Sequence, residues 1–530
     1  MPAATSNQDY VLAIDLGTSG PKVAILDPRG AVVGSEFEPT DLILLPGGGA
    51  EQAPADWWRA IVKAARRLLG RQLIDPKRVV AVVCTAQWSG TVAVDADGRP
   101  LHNAVIWMDS RGARYVHERV GGWPNVDGYA LAKLYRWIRL TGGVPGLSGK
   151  DPVAHIHWLR DHHPEVYERT AVFLEPKDYL NLKLTGRAAA SYDSIALHWV
   201  TDNRDLGRVT YDDALLDRAG LERSKLPSEL KEAVDVLGPL RPEVAAELGL
   251  GEHVQVIMGT PDVQSAAIGS GGVADFEAHL YIGTSSWLTC HVPFKKTDIV
   301  SNMASLPSAI PGRYFIANEQ ETAGACLGFL KDLLFADDAL ASGPAPAGVY
   351  GRFDALAATI PAGSDGLLFL PWLNGERSPL DDHRLRGGFL NMSLSTTRGH
   401  LIRAVLEGVA YNSRWLLGAV EGFIGRRIDA LRVIGGGANS ALWCRILADV
   451  CGRTIHQVRH PIAANARGAG FLALVGLGYL TWDDVGRAVE IAQTYRPEGD
   501  AAGVYDRLFG EFQAALKANR KLFHRLNRDL

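Results

Sequence analysis

The chain has 530 residues, 47% of them apolar and 22% charged, and a formal net charge of −4. That length exceeds one ordinary hydrophobic core, so two large domains are expected. The near-even charge balance excludes the basic stripe that nucleic acid or an anionic membrane surface would demand.

The first residues, MPAATSNQDY, have neither the basic region nor the apolar core of a secretion leader. The longest apolar run, near 469–480, is too short to span a bilayer. Cys84, Cys290, Cys326, Cys444 and Cys451 are scattered without a Cys-x-x-Cys pairing, and read as small buried residues of a reducing compartment. A cytoplasmic protein is expected, with neither nucleic acid nor membrane as partner.

VLAIDLGTSGPKVAIL (11–26) reads as two apolar strands around Asp15-Leu16-Gly17-Thr18-Ser19-Gly20. Glycine, serine and aspartate favour a plain tight turn. The same residues suit a phosphate loop: glycines let the backbone approach, N–H groups form an anion nest, and hydroxyls add donors. Asp15 would then hold Mg²⁺ through water, and Lys22 would offset charge or stand as a solvated strand residue. VVAVVC (79–84) is a further strand. HIHWLRDHH (155–163) lacks a cysteine partner or an H-E-x-x-H spacing, and reads as a wet helix face.

VQVIMG (254–259) is a strand that leads through Pro261 to Asp262 and a run of small residues. Asp262 is either a helix N-cap or an acid at a strand's carboxyl end, where α/β proteins bind ligands and a carboxylate could take a hydroxyl proton. GSGGVAD (269–275) reads as a boundary or hinge. Directly after it, HLYIGTSSWLTC (279–290) repeats the opening plan, so each half begins with a strand–Gly-Thr-Ser–strand hairpin.

LLFL (367–370) is a strand, and 399–424 is a helix with Leu401, Val405, Val409, Leu416 and Val420 on one face. VIGGGANSALWCRILADVCG (433–452) has strand–glycine loop–helix order with Asn439 or Ser440 as cap; its glycines are either a tight turn or a flat surface for adenine or ribose. A helix from about Val504 to Leu526 closes the chain. Alternating strands and helices predict α/β architecture. No G-x-x-x-x-G-K-[ST] or protein-kinase catalytic loop is present, which excludes those two nucleotide devices.

AIDLGTSG, GTPDVQSAAIGSG, YIGTSS, PWLNGERSPLDDHRLRGG and VIGGGANSALWCRILADVCG, in this order, resemble the FGGY carbohydrate kinases from about residue 10 to 480. Within that family, LEPKDYLNLKLTG (174–186) and PWLNGERSP (371–379) look most like xylulokinases. The resemblance implies an α/β fold of two actin-like, ribonuclease H-like ATPase domains, 9–272 and 273–530, with the active site in the cleft between them. It implies transfer of the γ-phosphate of ATP, with Mg²⁺, to a ketose or polyol hydroxyl. D-xylulose is the leading acceptor; ribulose, a pentitol or glycerol is the alternative, and an actin- or chaperone-like ATPase a remote one. Members of the family are often homodimers.

Carried over by position, Asp262 is the general base and Asp15 the Mg²⁺ and phosphate residue. Gly17, Thr18, Ser19, Gly20 and Lys22 form the first phosphate loop; Gly283, Thr284 and Ser285 form the second; Gly436, Gly437 and Asn439 serve adenosine. Sugar contacts fall on Gln87, Trp88, Ser89, Trp107, Asp109 and Arg111, beside Asp262. Trp88-Ser89 stands where xylulokinases carry Met-His, Met108-Asp109-Ser110 where they carry Asn-Asp-Gly, and Asn391 where the family has Gly.

Overall fold

A computed structural model describes residues 9–126, 128–335 and 348–528. Residues 1–8, read above for a leader, and 336–347 and 529–530 of the expected second domain lie outside the described residues.

The first half is built on a six-stranded sheet. Its strands are β1 (Tyr10–Gly17), β2 (Gly20–Leu26), β3 (Val32–Phe37), β4 (Val79–Ala86), β5 (Val236–Pro239) and β6 (Gln255–Pro261), in the order β5-β6-β4-β1-β2-β3. β1 and β2 form an antiparallel hairpin, β1, β4 and β6 run parallel, and β5 returns antiparallel to β6. β1 and β4 are near-continuous apolar runs because both faces of the sheet are covered. Leu12, Ile14 and Leu16 point into one core, while Val11 and Ala13 point into another, as the two-residue period of a strand dictates.

The second half repeats the plan with β7 (Ala278–Ile282), β8 (Ser286–Thr289), β9 (Ala430–Ile434), β10 (Thr454–Val458) and β11 (Ile491–Tyr495), ordered β8-β7-β9-β10-β11. Its hairpin is antiparallel, its next two pairings parallel and its last antiparallel, matching β2-β1-β4-β6-β5 strand for strand.

The two halves meet through α1 (Asp262–Gly269) and α2 (Ala464–Gly476). These helices cross so closely that a Cβ on Gly269 would lie 1.8 Å from the Ala464 carbonyl oxygen, and one on Gly468 1.8 Å from that of Ser265. Even a methyl group there would force the helices apart, an overpacking cost of about 1–3 kcal/mol. The core behind the crossing is shared, with Val11, Ala13 and Val83 of the first half packed among Ile434, Val458 and Phe471 of the second.

The predicted helix at 399–424 spans Arg398–Ile424, opened by a Thr397–His400 capping box and ended by Gly425 in the left-handed region. The closing helix begins earlier than expected and runs Gly499–Leu526, burying Tyr505, Leu508, Phe512 and Leu516 at helical spacing. All five cysteines are free and buried. Among the described residues, no helix is long and apolar enough to cross a membrane.

The histidine reading is corrected in part. In the helix Pro152–His162, His155 and His157 are buried rather than wet. His155 shares its ring nitrogens with the Thr91 hydroxyl at 3.2 Å and the Asp109 carbonyl at 3.4 Å, and His157 meets the Ala219 carbonyl at 2.6 Å. Burial pushes both down to about 4, so they stand as neutral core imidazoles. Asn391 takes φ 67°, the left-handed region where Gly is favoured and Asn tolerated, and its Nδ2 donates to the Gly366 carbonyl at 3.1 Å.

Candidate active site

Parallel strands β1, β4 and β6 set the site's acids side by side. The register pairs Asp15 with Thr85, Thr85 with Thr260, and Ala86 with Pro261, so Asp15 and Asp262 stand at the carboxyl ends of strands flanking β4. Two strand spacings separate those strands by about 10 Å. Asp262 is the first residue of α1, with Pro261 as its N-cap; its own Oδ1 accepts the Val263 N–H at 2.8 Å. No cation pairs with Asp262 among the described residues. Burial pushes its carboxyl up to about 8, and the charges of Asp15 and Glu319 add to the effect.

Asp15 is 7% exposed, and burial raises its carboxyl as well, against the lowering pull of Lys22 and the Asn465 side chain. Lys22 Nζ stands 4.0 Å from the Asp15 carboxylate and donates to the Ile462 carbonyl at 2.8 Å, so this end of the first hairpin reaches the second half of the chain.

The first loop is a two-residue hairpin closed by the pair Gly17 and Gly20. Its hydroxyls differ. The Ser19 side chain is exposed and its hydroxyl takes no hydrogen-bond partner among the described residues, whereas the Thr18 hydroxyl donates to Gln87 Oε1 at 3.2 Å and accepts from Trp107 Nε1 at 3.0 Å. Gln52 completes this knot: its Nε2 donates to the Thr18 carbonyl at 2.8 Å, and its Oε1 accepts from Gln87 at 2.7 Å and from Trp57 at 3.2 Å. The first Gly-Thr-Ser loop is thus tied to the stretch expected to meet the sugar.

The second loop is three residues, Gly283, Thr284 and Ser285, between the paired Ile282 and Ser286. The carbonyls of Gly283 and Thr284 accept the N–H groups of Gly324 at 2.7 Å and of Ala323 at 2.9 Å, at the start of the helix Gly324–Leu334. The Thr284 and Ser285 hydroxyls take no hydrogen-bond partner among the described residues. The glycine loop after β9 lies directly against it. Gly435 has φ 88°, and a Cβ there would stand 2.5 Å from the Ile282 carbonyl oxygen; one on Gly437 would stand 2.5 Å from Ile282 Cγ2. Gly436 has open space around it and Asn439 is exposed, its Nδ2 donating to the Gly436 carbonyl at 3.2 Å. Ser440, not Asn439, caps α3 (Ala441–Cys451), accepting the Trp443 N–H at 3.0 Å.

Several residues expected at the sugar have their polar atoms engaged elsewhere. Trp88 is 9% exposed and its indole N–H donates to the Ser194 carbonyl at 3.2 Å, which leaves it an apolar wall. Ser89 donates to the Lys150 carbonyl at 2.8 Å. Asp109 accepts from the Ala50 N–H and from Arg111 Nε, both at 2.9 Å; Arg111 also reaches Glu51 at 2.6 Å and lies 3.6 Å above the Trp158 ring. Asp109, Arg111 and Glu51 form a closed ionic set that braces the wall.

Other residues near these loops were given no role by the sequence, although Arg377 and Tyr281 lie within motifs quoted above. Gln52 sat in an unremarked polar pair ahead of Pro54. Asp151 accepts from the Gly146 N–H at 2.6 Å and Trp199 Nε1 at 2.8 Å, and burial pushes it up to about 6. From the second half, Arg377 lies over the Trp107 ring at 5.7 Å and pairs with Glu319 and Glu321, while Lys150 stands 3.6 Å from Glu321. Tyr281 stacks on Trp287 at 3.9 Å; burial raises its hydroxyl, with the charges of Asp262 and Asp15 behind it.

Among the described residues, no group of three or more His, Cys, Asp or Glu is arranged to hold a metal ion. Mg²⁺ keeps most of its waters and takes further ligands from phosphate, so one or two carboxylates are enough to hold it. A buried carboxylate such as Asp15, whose ionised form is disfavoured in its own surroundings, fits that need.

The model of the FGGY family of carbohydrate kinases, N-terminal domain, matches residues 10–269, and that of the C-terminal domain matches 278–477. The xylulose kinase of Staphylococcus epidermidis is 28% identical over 525 residues, 97% of this chain and 98% of that protein. The crystal structure of xylulose kinase from Rhodospirillum rubrum superposes with a TM-score of 0.82 at 28% identity, covering 97% of this chain and all of that one. Gluconate kinase from Lactobacillus acidophilus shares the fold with a TM-score of 0.84 at 23% identity, covering 98% of this chain and 100% of that one.

Proposed function

The chain belongs to the FGGY family of carbohydrate kinases, and from that premise we propose that it moves the γ-phosphate of ATP to a hydroxyl of a ketopentose, D-xylulose first. The observation that carries this reading is the pair of acids at the ends of β1 and β6. One of them, Asp262, has no cation partner among the described residues and a carboxyl held near 8.

In this reading Asp262 accepts the proton of the attacking hydroxyl as its oxygen bonds to the γ-phosphorus and the bond from that phosphorus to the β–γ bridging oxygen breaks, the oxygen leaving on ADP. Asp15 holds Mg²⁺ through water, with Lys22 balancing charge at 4.0 Å. Mg²⁺, when bound there, neutralises phosphate charge. Gly17, Thr18, Ser19 and Gly20 line one side of the triphosphate, and Gly283, Thr284 and Ser285 the other. The uncommitted hydroxyls of Ser19, Thr284 and Ser285 donate to phosphate oxygens, while Thr18 stays tied to Gln87 and Trp107. The adenosine lies on the side-chain-free face at Gly436 and Gly437, beside Asn439. Gln87 and Trp107 sit nearest the acceptor, Trp88 is its apolar wall, and Ser89, Asp109 and Arg111 shape that wall from behind. The domains are 9–272 and 273–530, closing on the acceptor so that water does not compete for the phosphoryl group.

The test is ADP release from MgATP across D-xylulose, D-ribulose, pentitols, glycerol and gluconate, with the phosphorylated position read by NMR. Stimulation by D-xylulose above the others, with a 5-phosphate product, is expected. Stimulation by another sugar or polyol alone replaces the acceptor, and no stimulation by any of them removes the kinase reading.

A further inference from the structure

A buried polar cluster lies behind the ends of β4 and β6. The helix Pro176–Thr185 brings Lys177, Asp178 and Asn181 into it, each at most 1% exposed. Lys177 pairs with Asp178, and its Nζ donates to the Met258 carbonyl at 3.2 Å. Asn181 Nδ2 donates to the same carbonyl at 2.7 Å. The Thr260 hydroxyl donates to Asp193, whose other oxygen accepts the Ser194 N–H at 3.0 Å.

These partners converge on a break in β6. The strand loses register with β4 between Ile257 and Thr260. Within the break, the Met258 and Gly259 N–H groups turn away to the carbonyls of Asp235 and Ala233, both at 2.9 Å. Gly259 has φ 71°, and a Cβ there would lie 2.0 Å from the Cys84 carbonyl oxygen, so no other residue fits. Breaks of this kind bend a strand and re-aim the residues that follow. A carbonyl turned out of the ladder in the interior is costly unless paired, and the Met258 carbonyl is met by two donors from one helix. Asp262 follows two residues after Thr260.

We propose that Lys177, Asn181 and Asp193 are positioning residues that hold the break at Met258–Thr260 and thereby aim the Asp262 carboxylate at the acceptor hydroxyl. This rests on the reading of Asp262 as the base. The cluster also anchors the wall of the acceptor site: Glu175 accepts the Gly90 N–H at 2.9 Å, and the Ser194 carbonyl takes the Trp88 indole. One buried group of charges thus fixes both the base and the surface facing it.

The test uses Thr260→Val and Asn181→Leu, since removing Lys177 leaves buried carboxylates without their cation and threatens folding. With D-xylulose and MgATP, each variant is expected to lower kcat about 10–100-fold, with KM for ATP within about twofold, as lost alignment of a general base does. Thr260→Ser, which keeps the hydroxyl, is expected to restore kcat to within about threefold. Amide hydrogen exchange needs no acceptor; it should speed at Met258 and Gly259 in Thr260→Val and Asn181→Leu and stay at the wild-type rate in Asp262→Asn. Wild-type exchange at 258–259 in the folded Val and Leu variants overturns the clamp, whatever Asp262→Asn shows. Wild-type turnover by Asp262→Asn overturns the base reading, whatever exchange shows.

Discussion

The two Gly-Thr-Ser hairpins occupy the same place in two sheets of the same strand order, yet they are held in opposite ways. In the first, Thr18 is fixed by side chains from three distant segments, Gln52, Gln87 and Trp107, and the buried Asp15 lies on the strand leading into it. In the second, the loop is held through its backbone by the start of the helix Gly324–Leu334 and by close-packed glycines at 435 and 437. In the proposed reading, one half carries charge and hydrogen-bonding side chains to the phosphoryl group in transfer, and the other receives the flat ring of the nucleotide on its glycines. Duplicated architecture has been given divided chemistry.

If the division is real, changes in the two halves must separate kcat from KM. The largest effect is expected from Asp262→Asn, which removes the proposed proton acceptor. ADP release with D-xylulose should fall about 10²–10⁴-fold while circular dichroism stays that of the wild type. Next comes Gly437→Val in the opposite half. Its side chain would press on Ile282, where a Cβ already lies 2.5 Å from Cγ2, and push the glycine loop off β7. KM for ATP should rise about tenfold, equivalent to about 1.4 kcal/mol of binding, with kcat within about threefold. A fall in kcat with KM unchanged would erase the distinction between the halves. The smallest effect is expected away from both, at Asn391→Gly. The glycine relieves the left-handed backbone but loses the bond to Gly366, so thermal unfolding should shift by less than about 0.5 kcal/mol with kinetics unchanged.

The two hairpins, Asp262 at a strand end and the glycine loop at 435–437 were legible because each is local: strand periodicity, turn residues and an acid within one short stretch. The ties between them were not. Thr18 meets Gln87 and Trp107 across 69 and 89 residues, and Lys177 meets Met258 across 81, so no spacing rule connects them before the sheet does. The buried His155 and His157 were misjudged for a related reason. The polar look of HIHWLRDHH suggested water, but eight of that helix's residues, Pro152 to Leu159, are buried. The Thr91 hydroxyl and two carbonyls supply the partners that let imidazoles sit there. Trp88 shows the same limit: the sequence suggests a polar sugar contact there, while the engagement of its indole N–H by Ser194, 106 residues away, was not readable.

The most direct test is the pH dependence of kcat/KM for the acceptor. Asp262 must lose its proton to act, and burial together with the Asp15 charge holds its carboxyl near 8. For this raised acid the active form is gained as pH rises, so kcat/KM should climb through an acid limb near pH 8, and Asp262→Asn should lose that limb along with its rate. A wild-type profile flat from pH 6 to about 9, or an unchanged limb in Asp262→Asn, would contradict the assignment of Asp262 as the base.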